Sequence, residues 1–329
     1  MQRYTGYIKQ ITTLIVLTAI ILLSGCRGKK VNQNNNGKLE GTISISGAFA
    51  LYPLAVKWAE EFKKIHPEVK IDISAGGAGK GMTDALSGMV DLGMLSREVN
   101  KAEIAKGAWL ISVAKDAVLP TISDKNPVLP ELKIKGMTRQ NFEQIFITGN
   151  ITSWGTSLMK VDHKAQGKIN VYIRSDACGA GEMWGKYLGK NQETLSGIGV
   201  FGDPGVAEAV KKDPLGVGYN NVIYVYDIQT RKYYPGISVI PIDVNGNGKI
   251  DKEEDFYGTL DLLMAAIRDG RYPSPPGRDL YFVSKGKTTD PVINAFLKWI
   301  LTDGQKYVNE SGYVQLPEDK IKLELEKIK

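Results

Sequence analysis

Short segments in which polar and apolar residues alternate are separated by longer segments with a helical spacing. Residues 42–45 and 69–73 alternate strictly, and a period of two residues predicts strands with one buried face. Between them, apolar residues recur at spacings of four, four and three, which predicts a helix with one apolar face that ends at the His66-Pro67 pair. These helical positions are Leu54, Trp58, Phe62 and Ile65.

The same alternation of strands and helices continues along the chain. A glycine-rich turn at residues 76–79 precedes a short helix whose apolar positions are Met82, Leu86 and Met89. Val90 to Met94 then predicts a buried strand, and the pattern returns after Lys168 and near the C-terminus. A β-α-β-α-β order predicts a parallel sheet covered by helices. We therefore expect an open α/β fold, and we find no internal repeat.

The N-terminal segment has the order of an export signal. Two cations precede an uncharged apolar run from Ile11 to Leu23, and small residues follow. As a helix this run is about 20 Å long, shorter than the ~30 Å hydrocarbon core of a bilayer, which disfavours a permanent transmembrane anchor. The run ends Leu-Ser-Gly-Cys and resembles a bacterial lipobox, which implies a signal peptide over residues 1–25 and lipidation of Cys26. The alternative is an ordinary cleaved signal.

A lipidated Cys26 implies an exported lipoprotein held on a membrane, facing the periplasm or the cell exterior. Residues 26–40 are polar and rich in asparagine, which predicts a flexible tether. Arg27 after the cysteine does not decide between inner and outer membrane. Once Cys26 is modified, only Cys178 remains, so no intramolecular disulfide is expected.

Charge and composition exclude several classes of function. With 329 residues and 43% hydrophobic positions the composition is that of a globular protein. The formal charge of +6 could suggest a nucleic-acid partner, but residues 1–40 hold six of the cations and one acidic residue. The remainder is therefore close to neutral, and no nucleic-acid partner is expected.

No catalytic motif is present. Lys80 is followed by glycine and not by Ser or Thr, which excludes a phosphate-binding P-loop. The two histidines, His66 and His163, lie in dissimilar contexts, no Cys/His cluster offers zinc ligands, and no sequence resembles a nucleophile elbow. We interpret the chain as a binding protein and not an enzyme.

Three predicted strand-to-helix turns are candidates for anion binding, because helix N-termini expose unpaired N–H groups and a partial positive charge. They are residues 47–50, 75–79 and 177–180. The third turn follows a strand that ends in Arg174, whose guanidinium suits bidentate recognition of an oxyanion. Asp176 is placed to orient this arginine.

The segments that carry these features resemble the phosphate-binding protein family, the periplasmic solute-binding subunits of bacterial ABC phosphate transporters. The resemblance covers residues 41–329, and its specificity comes from the order of the segments. They are Ile45–Trp58, Gly76–Gly81, Val90–Gly93 with Ser96-Arg97, Asn126-Pro127, Ile151–Trp154, Arg174–Ala180, Gly216–Tyr219, Leu280–Val283 and Phe296–Gln305.

This resemblance implies a two-lobed periplasmic-binding-protein fold of type II-like topology, with an interlobe cleft and hinge strands at Lys115–Leu119 and Arg278–Ser284. The first lobe would comprise residues 41–117 and 278–329, and the second lobe residues 118–277. It further implies a monomer that closes around its ligand and delivers it to the membrane subunits of an ABC permease.

The same resemblance implies a set of ligand-binding residues. Arg174 would neutralise the anion, Ser96 would supply a hydroxyl, and the other positions would contribute mainly backbone N–H donors. These other positions are Phe49, Ala50, Ala78, Cys178, Gly179 and Ala180. Because most hydroxyl residues that the family uses are here alanine or cysteine, the resemblance does not decide which anion binds, and the expected ligand is phosphate or a related oxyanion.

Two alternatives stay open on the sequence. One is a different anion with an apolar part near Phe49 and Trp184, although both aromatic residues also suit plain packing. The other is an interaction or sensing protein that retains the scaffold without transporting a solute.

Residues 243–254 have the spacing of a calcium-binding loop. Side-chain oxygens fall at positions 1, 3, 5, 9 and 12, Gly248 stands at position 6, and Lys249 offers its backbone carbonyl at position 7. The side-chain ligands would be Asp243, Asn245, Asn247, Asp251 and Glu254. An exiting helix from Asp251 is predicted, but residues 237–242 favour a strand over an entering helix. We expect one structural Ca²⁺ and no catalytic cofactor; the alternative is a solvated turn before a helix.

Overall fold

The computed structural model describes residues 38–155 and 167–329. Its strands are β1 (Gly41–Gly47), β2 (Val69–Ala75), β3 (Leu92–Leu95), β4 (Ala108–Ser123), β5 (Asn170–Arg174), β6 (Ile198–Val200), β7 (Gly216–Asn221), β8 (Ile237–Val239) and β9 (Gly277–Lys285). Its α-helices are α1 (Tyr52–Ile65), α2 (Ala78–Ser87), α3 (Lys101–Ala105), α4 (Leu129–Lys135), α5 (Arg139–Phe146), α6 (Gly179–Tyr187), α7 (Gly202–Lys212), α8 (Leu260–Arg268), α9 (Pro291–Leu301), α10 (Lys306–Glu310) and α11 (Glu318–Ile328).

The strands form one sheet in the order β2-β1-β3-β9-β4-β7-β5-β6, with β8 paired to β4. Strand β1 pairs in parallel with β2 and β3, and β5 pairs in parallel with β6 and β7. The central pairs β3–β9, β9–β4 and β4–β7 are antiparallel. Strand β4 is 16 residues long. Residues 108–117 of β4 pair with β9, and residues 118–122 pair with β7. The two halves of this strand therefore connect different parts of the sheet.

Two hydrophobic clusters lie on either side of this connection. One is built mainly from residues 43–114 and 280–316, and the other mainly from residues 117–272. We call the first lobe 1 and the second lobe 2. The division follows β4, whose Ala114 packs in lobe 1 and whose Ala117 packs in lobe 2. The predicted two-lobed α/β architecture with crossing strands is confirmed.

Several predicted boundaries differ from the structure for local reasons. Ile65 at the end of α1 is 56% exposed, so the buried face of this helix ends at Phe62. Gly88, with a left-handed φ of 74°, ends α2 before Met89, and β3 begins only at Leu92. The helix predicted from Asp251 instead begins at Leu260, because the Thr259 side chain caps it by accepting from the Leu262 N–H.

Some sequence predictions lie outside the described residues. The signal peptide, Cys26, most of the tether and His163 belong to this group. Among the helices of residues 38–155 and 167–329, none has both the length and the apolar composition that crossing a bilayer requires.

Candidate anion site

The three predicted anion turns meet between the two lobes. The N–H of Gly79 in lobe 1 donates to the carbonyl of Ala177 in lobe 2 at 3.2 Å. Gly179 packs directly against Ser96, which follows β3 in lobe 1. The Phe49 ring lies over the guanidinium of Arg174, 5.2 Å from the ring centroid. The structure therefore brings Phe49, Ser96, Arg174 and Gly179 together, with Ala50, Ala78, Cys178 and Ala180 beside them in the same turns.

Each turn leads into a helix whose first N–H groups have no carbonyl partner within the helix. Pro53 stands in the first turn of α1, where its missing N–H is tolerated. The Cys178 side chain caps α6, because its Sγ accepts from the Gly181 N–H at 3.2 Å. This cap leaves the N–H groups of Gly179 and Ala180, in the buried first turn of the helix, without a carbonyl partner within the helix. The site is thus lined by helix N-termini, which favour a negative charge.

Gly77 is a position where only glycine fits. Its φ is +92°, and a Cβ there would lie 2.8 Å from both the Ala177 carbonyl oxygen and Asp176 Oδ2. Any side chain would be strained and would separate the second turn from the third. The glycine therefore allows the two lobes to approach at this turn.

Arg174 is buried and bonded to two carboxylates. Its Nε donates to Asp176 Oδ1 at 2.8 Å, its Nη2 donates to Asp176 Oδ2, and its Nη1 donates to Asp203 Oδ2. Burial alone would lower the pKa of Arg174, but Asp203 and Asp176 raise this pKa above its usual value. Burial likewise raises the pKa of Asp176, but hydrogen bonds from Arg174 outweigh it and hold that pKa below its usual value. Both side chains are therefore charged at neutral pH.

Asp203 is the residue of this site that the sequence analysis missed. It lies in the first turn of α7, its Oδ1 accepts from the Asn221 N–H at 3.3 Å, and its own carbonyl accepts from Asn220 Nδ2 at 2.9 Å. The available signal was the Phe-Gly-Asp-Pro sequence at 201–204, a fourth strand-to-helix turn after β6. With Asp203, two carboxylates face one guanidinium, so the buried group around Arg174 carries an excess of negative charge.

Of the two aromatic candidates, only Phe49 faces the cleft. Phe49 is half-buried and contacts Phe201 of lobe 2 edge to face, with ring centroids 5.9 Å apart. Trp184 lies on α6, is fully buried in the core of lobe 2 and packs against Phe142 and Phe146, with ring centroids at 5.2 and 5.5 Å. The interpretation of Trp184 as core packing fits this environment, and Trp184 does not line the cleft.

Cys178 is a buried thiol beside Arg174. Burial raises the pKa of this thiol to about 12, although the nearby Arg174 opposes the shift. The residue therefore stays protonated at neutral pH. Its sulfur is occupied in capping α6, which makes it a weak structural partner rather than a nucleophile.

The calcium-type loop forms a closed turn in lobe 2. Asp243 Oδ1 accepts from the Gly246 N–H at 2.7 Å, and its Oδ2 accepts from the Gly248 N–H at 2.8 Å. Glu254 Oε1 accepts from the N–H groups of Val244 and Asn245 at 2.9 and 3.2 Å. The first and last positions of the motif are thus buried and face the same loop backbone.

The side chains at positions 3, 5 and 9 of the loop are also hydrogen-bonded to one another. The Asn245 and Asn247 side chains donate to Asp251 Oδ2 at 3.0 and 2.6 Å. Beside them, the N–H of Ile250 donates to the Ile134 carbonyl in α4 at 2.8 Å, which fixes the loop to lobe 2. Within the described residues no group of three or more His, Cys, Asp and Glu side chains is placed to hold a metal ion. A cation here would also need amide and backbone oxygens.

The sequence is similar to a known superfamily and to proteins of known name. The model of the PBP superfamily domain matches residues 32–304. The chain is 28% identical to the phosphate-binding protein PstS of Methanocaldococcus jannaschii over 97% of this chain and 95% of the relative. It is 23% identical to PstS of Xylella fastidiosa over 94% of this chain and 95% of the relative.

Solved structures agree on the fold. A putative phosphate ABC transporter substrate-binding protein from Clostridium perfringens, solved with bound phosphate, has a TM-score of 0.67 and 22% identity, covering 84% of this chain and all of that one. An ABC-type phosphate transport receptor from Vibrio cholerae has a TM-score of 0.59, 19% identity and the same coverage. The predicted family resemblance is confirmed: the chain belongs to the PBP superfamily.

Proposed function

We propose that this chain is a non-enzymatic solute-binding protein that captures phosphate or a related oxyanion between its lobes for an ABC permease. One observation carries the proposal: three helix-initiating turns from two lobes meet around a buried arginine. The relatives named as phosphate-binding proteins support the ligand class.

The described residues suggest how an anion would be held. Arg174 has five N–H groups, and three of them are bonded to Asp176 and Asp203, which leaves two for a ligand. Ser96 would supply a hydroxyl. Most of the remaining donors would be backbone N–H groups of the three turns, at Phe49, Ala50, Ala78, Gly179 and Ala180. Because the nearby carboxylates exceed the guanidinium in charge, we assign a large part of the attraction to the helix N-termini.

Isothermal titration with phosphate, sulfate and methylphosphonate tests this function. We expect saturable binding of at least one oxyanion by the wild type and a loss of about 100-fold or more in Arg174→Ala. Since that change leaves two buried carboxylates unpaired, the double variant Arg174→Gln/Asp203→Asn provides a charge-balanced comparison. Arg268→Ala, which removes an exposed arginine of lobe 2, is the control.

The titration also separates the alternatives. Preference for methylphosphonate over phosphate would support an anion with an apolar part, which the Phe49–Phe201 contact beside Arg174 favours. Absence of heat with every oxyanion would contradict the transport function and leave an interaction or sensing role on this scaffold.

We further propose that the protein is exported and anchored through a lipidated Cys26. The support is the order of charged, apolar and small residues in the leader. Acyl chains gain ~0.8 kcal/mol for each buried methylene, so a multiply acylated cysteine would hold the chain on a membrane. Cell fractionation of Cys26→Ser compared with wild type tests the anchor: the wild type should sediment with membranes, and retention of the variant there would contradict it.

We also propose that the loop at residues 243–254 binds a structural Ca²⁺. The side chains of Asp243, Asn245, Asn247, Asp251 and Glu254 and the carbonyl of Lys249 would be its ligands. The support is the oxygen spacing together with the closed turn that brings the first and last carboxylates to one backbone segment.

A further inference from the structure

A second buried ion pair lies where the two hinge strands cross between the lobes. Asp116 of β4 and Arg278 of β9 are partners in the antiparallel ladder. The Arg278 Nη2 donates to Asp116 Oδ2 at 3.3 Å and also to the side-chain oxygen of Asn221 at the end of β7. Both charged side chains are nearly inaccessible to solvent, at 3% and 0% exposed. The guanidinium thus joins three neighbouring strands.

The same guanidinium reaches the candidate anion site. Arg278 Nη1 donates to the backbone carbonyl of Gly179 at 3.3 Å. Gly179 is the first residue of α6, and its backbone packs against Ser96 of lobe 1. One side chain on a hinge strand therefore contacts the helix N-terminus that would present N–H groups to the anion.

This ion pair is poorly explained as a device for stability alone. Asp116 Oδ1 and Arg278 Nε are buried and have no hydrogen-bond partner among the described residues. Removing charges from water is costly, and a buried pair with unfilled hydrogen bonds repays that cost incompletely. An apolar pair would fill this position at a smaller cost, but it could not bind the Gly179 carbonyl.

We propose that Arg278 is a positioning residue: it fixes the N-terminus of α6 relative to the hinge strands, so that lobe closure presents the Gly179 and Ala180 N–H groups to the bound anion. This inference rests on the proposed anion-binding function. The carbonyl bond restrains the first turn of α6, and the bonds to Asp116 and Asn221 hold the guanidinium at the crossing of the strands.

The charge-balanced double variant Asp116→Asn/Arg278→Met tests this role. It removes both buried charges, so we expect its Tm to lie within about 3 °C of the wild-type Tm. It also removes the bond to Gly179, so we expect phosphate affinity to fall about 10-fold or more and amide hydrogen exchange in the first turn of α6 to accelerate. Asp279→Asn/Lys320→Met is the matched control, because it removes the neighbouring ion pair of β9 without contacting α6.

Wild-type affinity together with wild-type exchange in the double variant would overturn the proposal. If the double variant does not fold, Arg278→Lys decides on the same two measurements, since lysine keeps the charge but lacks the fork that reaches several acceptors. Failure of the wild type to bind any oxyanion would instead contradict the proposed function. The exchange measurement needs no ligand and still tests whether Arg278 restrains α6.

Discussion

Asp203 and Arg174 form a buried ion pair below the anion turns, with both side chains 1% exposed. Asp203 lies on α7 and Arg174 at the end of β5, and the guanidinium is shared with Asp176. This arrangement orients Arg174 firmly, but it also surrounds an anion site with more negative than positive side-chain charge. The identity and affinity of the ligand depend on how these two effects balance.

We predict that Asp203→Asn tightens anion binding. The change removes one of the two carboxylate charges bonded to Arg174. At an effective dielectric constant of about 20, a unit charge roughly 5–10 Å from an anion is worth ~2–3 kcal/mol. We expect phosphate affinity to rise about 10- to 100-fold, measured by isothermal titration. Glu208→Gln removes the same charge from an exposed part of the same helix and should change little. Unchanged or weaker binding by a folded Asp203→Asn would contradict this balance of charges.

Asp116 should make the free energy of unfolding depend on pH. Burial raises the pKa of Asp116 to about 6 from the ordinary 3.8, although Arg278 opposes the shift. The folded state binds the Asp116 proton more tightly than the unfolded state does. The resulting contribution to the free energy of unfolding is therefore fully present below pH 3.8 and is lost as pH rises through about 6. The loss is ~3 kcal/mol.

Urea unfolding of the wild type and Asp116→Asn between pH 4 and pH 7 measures this effect. The difference in free energy of unfolding, wild type minus variant, should decrease by most of that amount across the range, because the unfolded state is already largely deprotonated at pH 4. Asp255→Asn, which changes an exposed carboxylate of lobe 2, is the control. A difference that does not vary with pH would show that Asp116 does not titrate in this range.

Gly179→Ala should prevent full closure of the lobes. A Cβ at this position would overlap the side chain and the carbonyl of Ser96. Because this contact joins the two lobes and not the interior of either one, we expect anion affinity to fall about 100-fold with little change in the unfolding of each lobe. Small-angle scattering with saturating phosphate should show a larger radius of gyration than the wild type.

Gly258→Ala is the control for this prediction, because a Cβ there meets no atom within 4 Å. Compaction of Gly179→Ala to the wild-type radius of gyration would indicate that Ser96 yields and that the contact does not limit closure.

Glu254→Gln should lower the Tm more in calcium than in chelator. The Glu254 carboxylate accepts backbone N–H groups within the loop, so some loss of stability is expected in both conditions. A calcium ligand would add a loss that appears only with the ion, because a cation that binds the folded state stabilises it by mass action. Thermal unfolding of wild type, Glu254→Gln and the exposed neighbour Glu253→Gln should separate these effects. Equal decreases in Tm in calcium and in chelator would contradict the proposed Ca²⁺ site.

Local patterns were sufficient to predict much of the architecture. The alternation of β1, the apolar face of α1 and the Pro53 turn depend on neighbours within a few residues, and they appear in the structure as expected. Arg174 and Asp176 are two residues apart, so their ion pair was also accessible from the sequence. Boundaries such as the start of α8 were less predictable, because a single capping threonine decided them.

By itself, the sequence determined the α/β elements, the three glycine-rich turns and the arginine among them, because each depends on backbone preferences and short-range spacing. Only the tertiary structure decided which charges share one buried space. Asp203 lies 29 residues from Arg174, and Arg278 lies 162 residues from Asp116. The β4 strand joins the lobes and so brings these pairs of charged residues into contact. The electrostatic character of the site therefore arises from chain topology, because Coulomb interactions depend on separation in space and on burial.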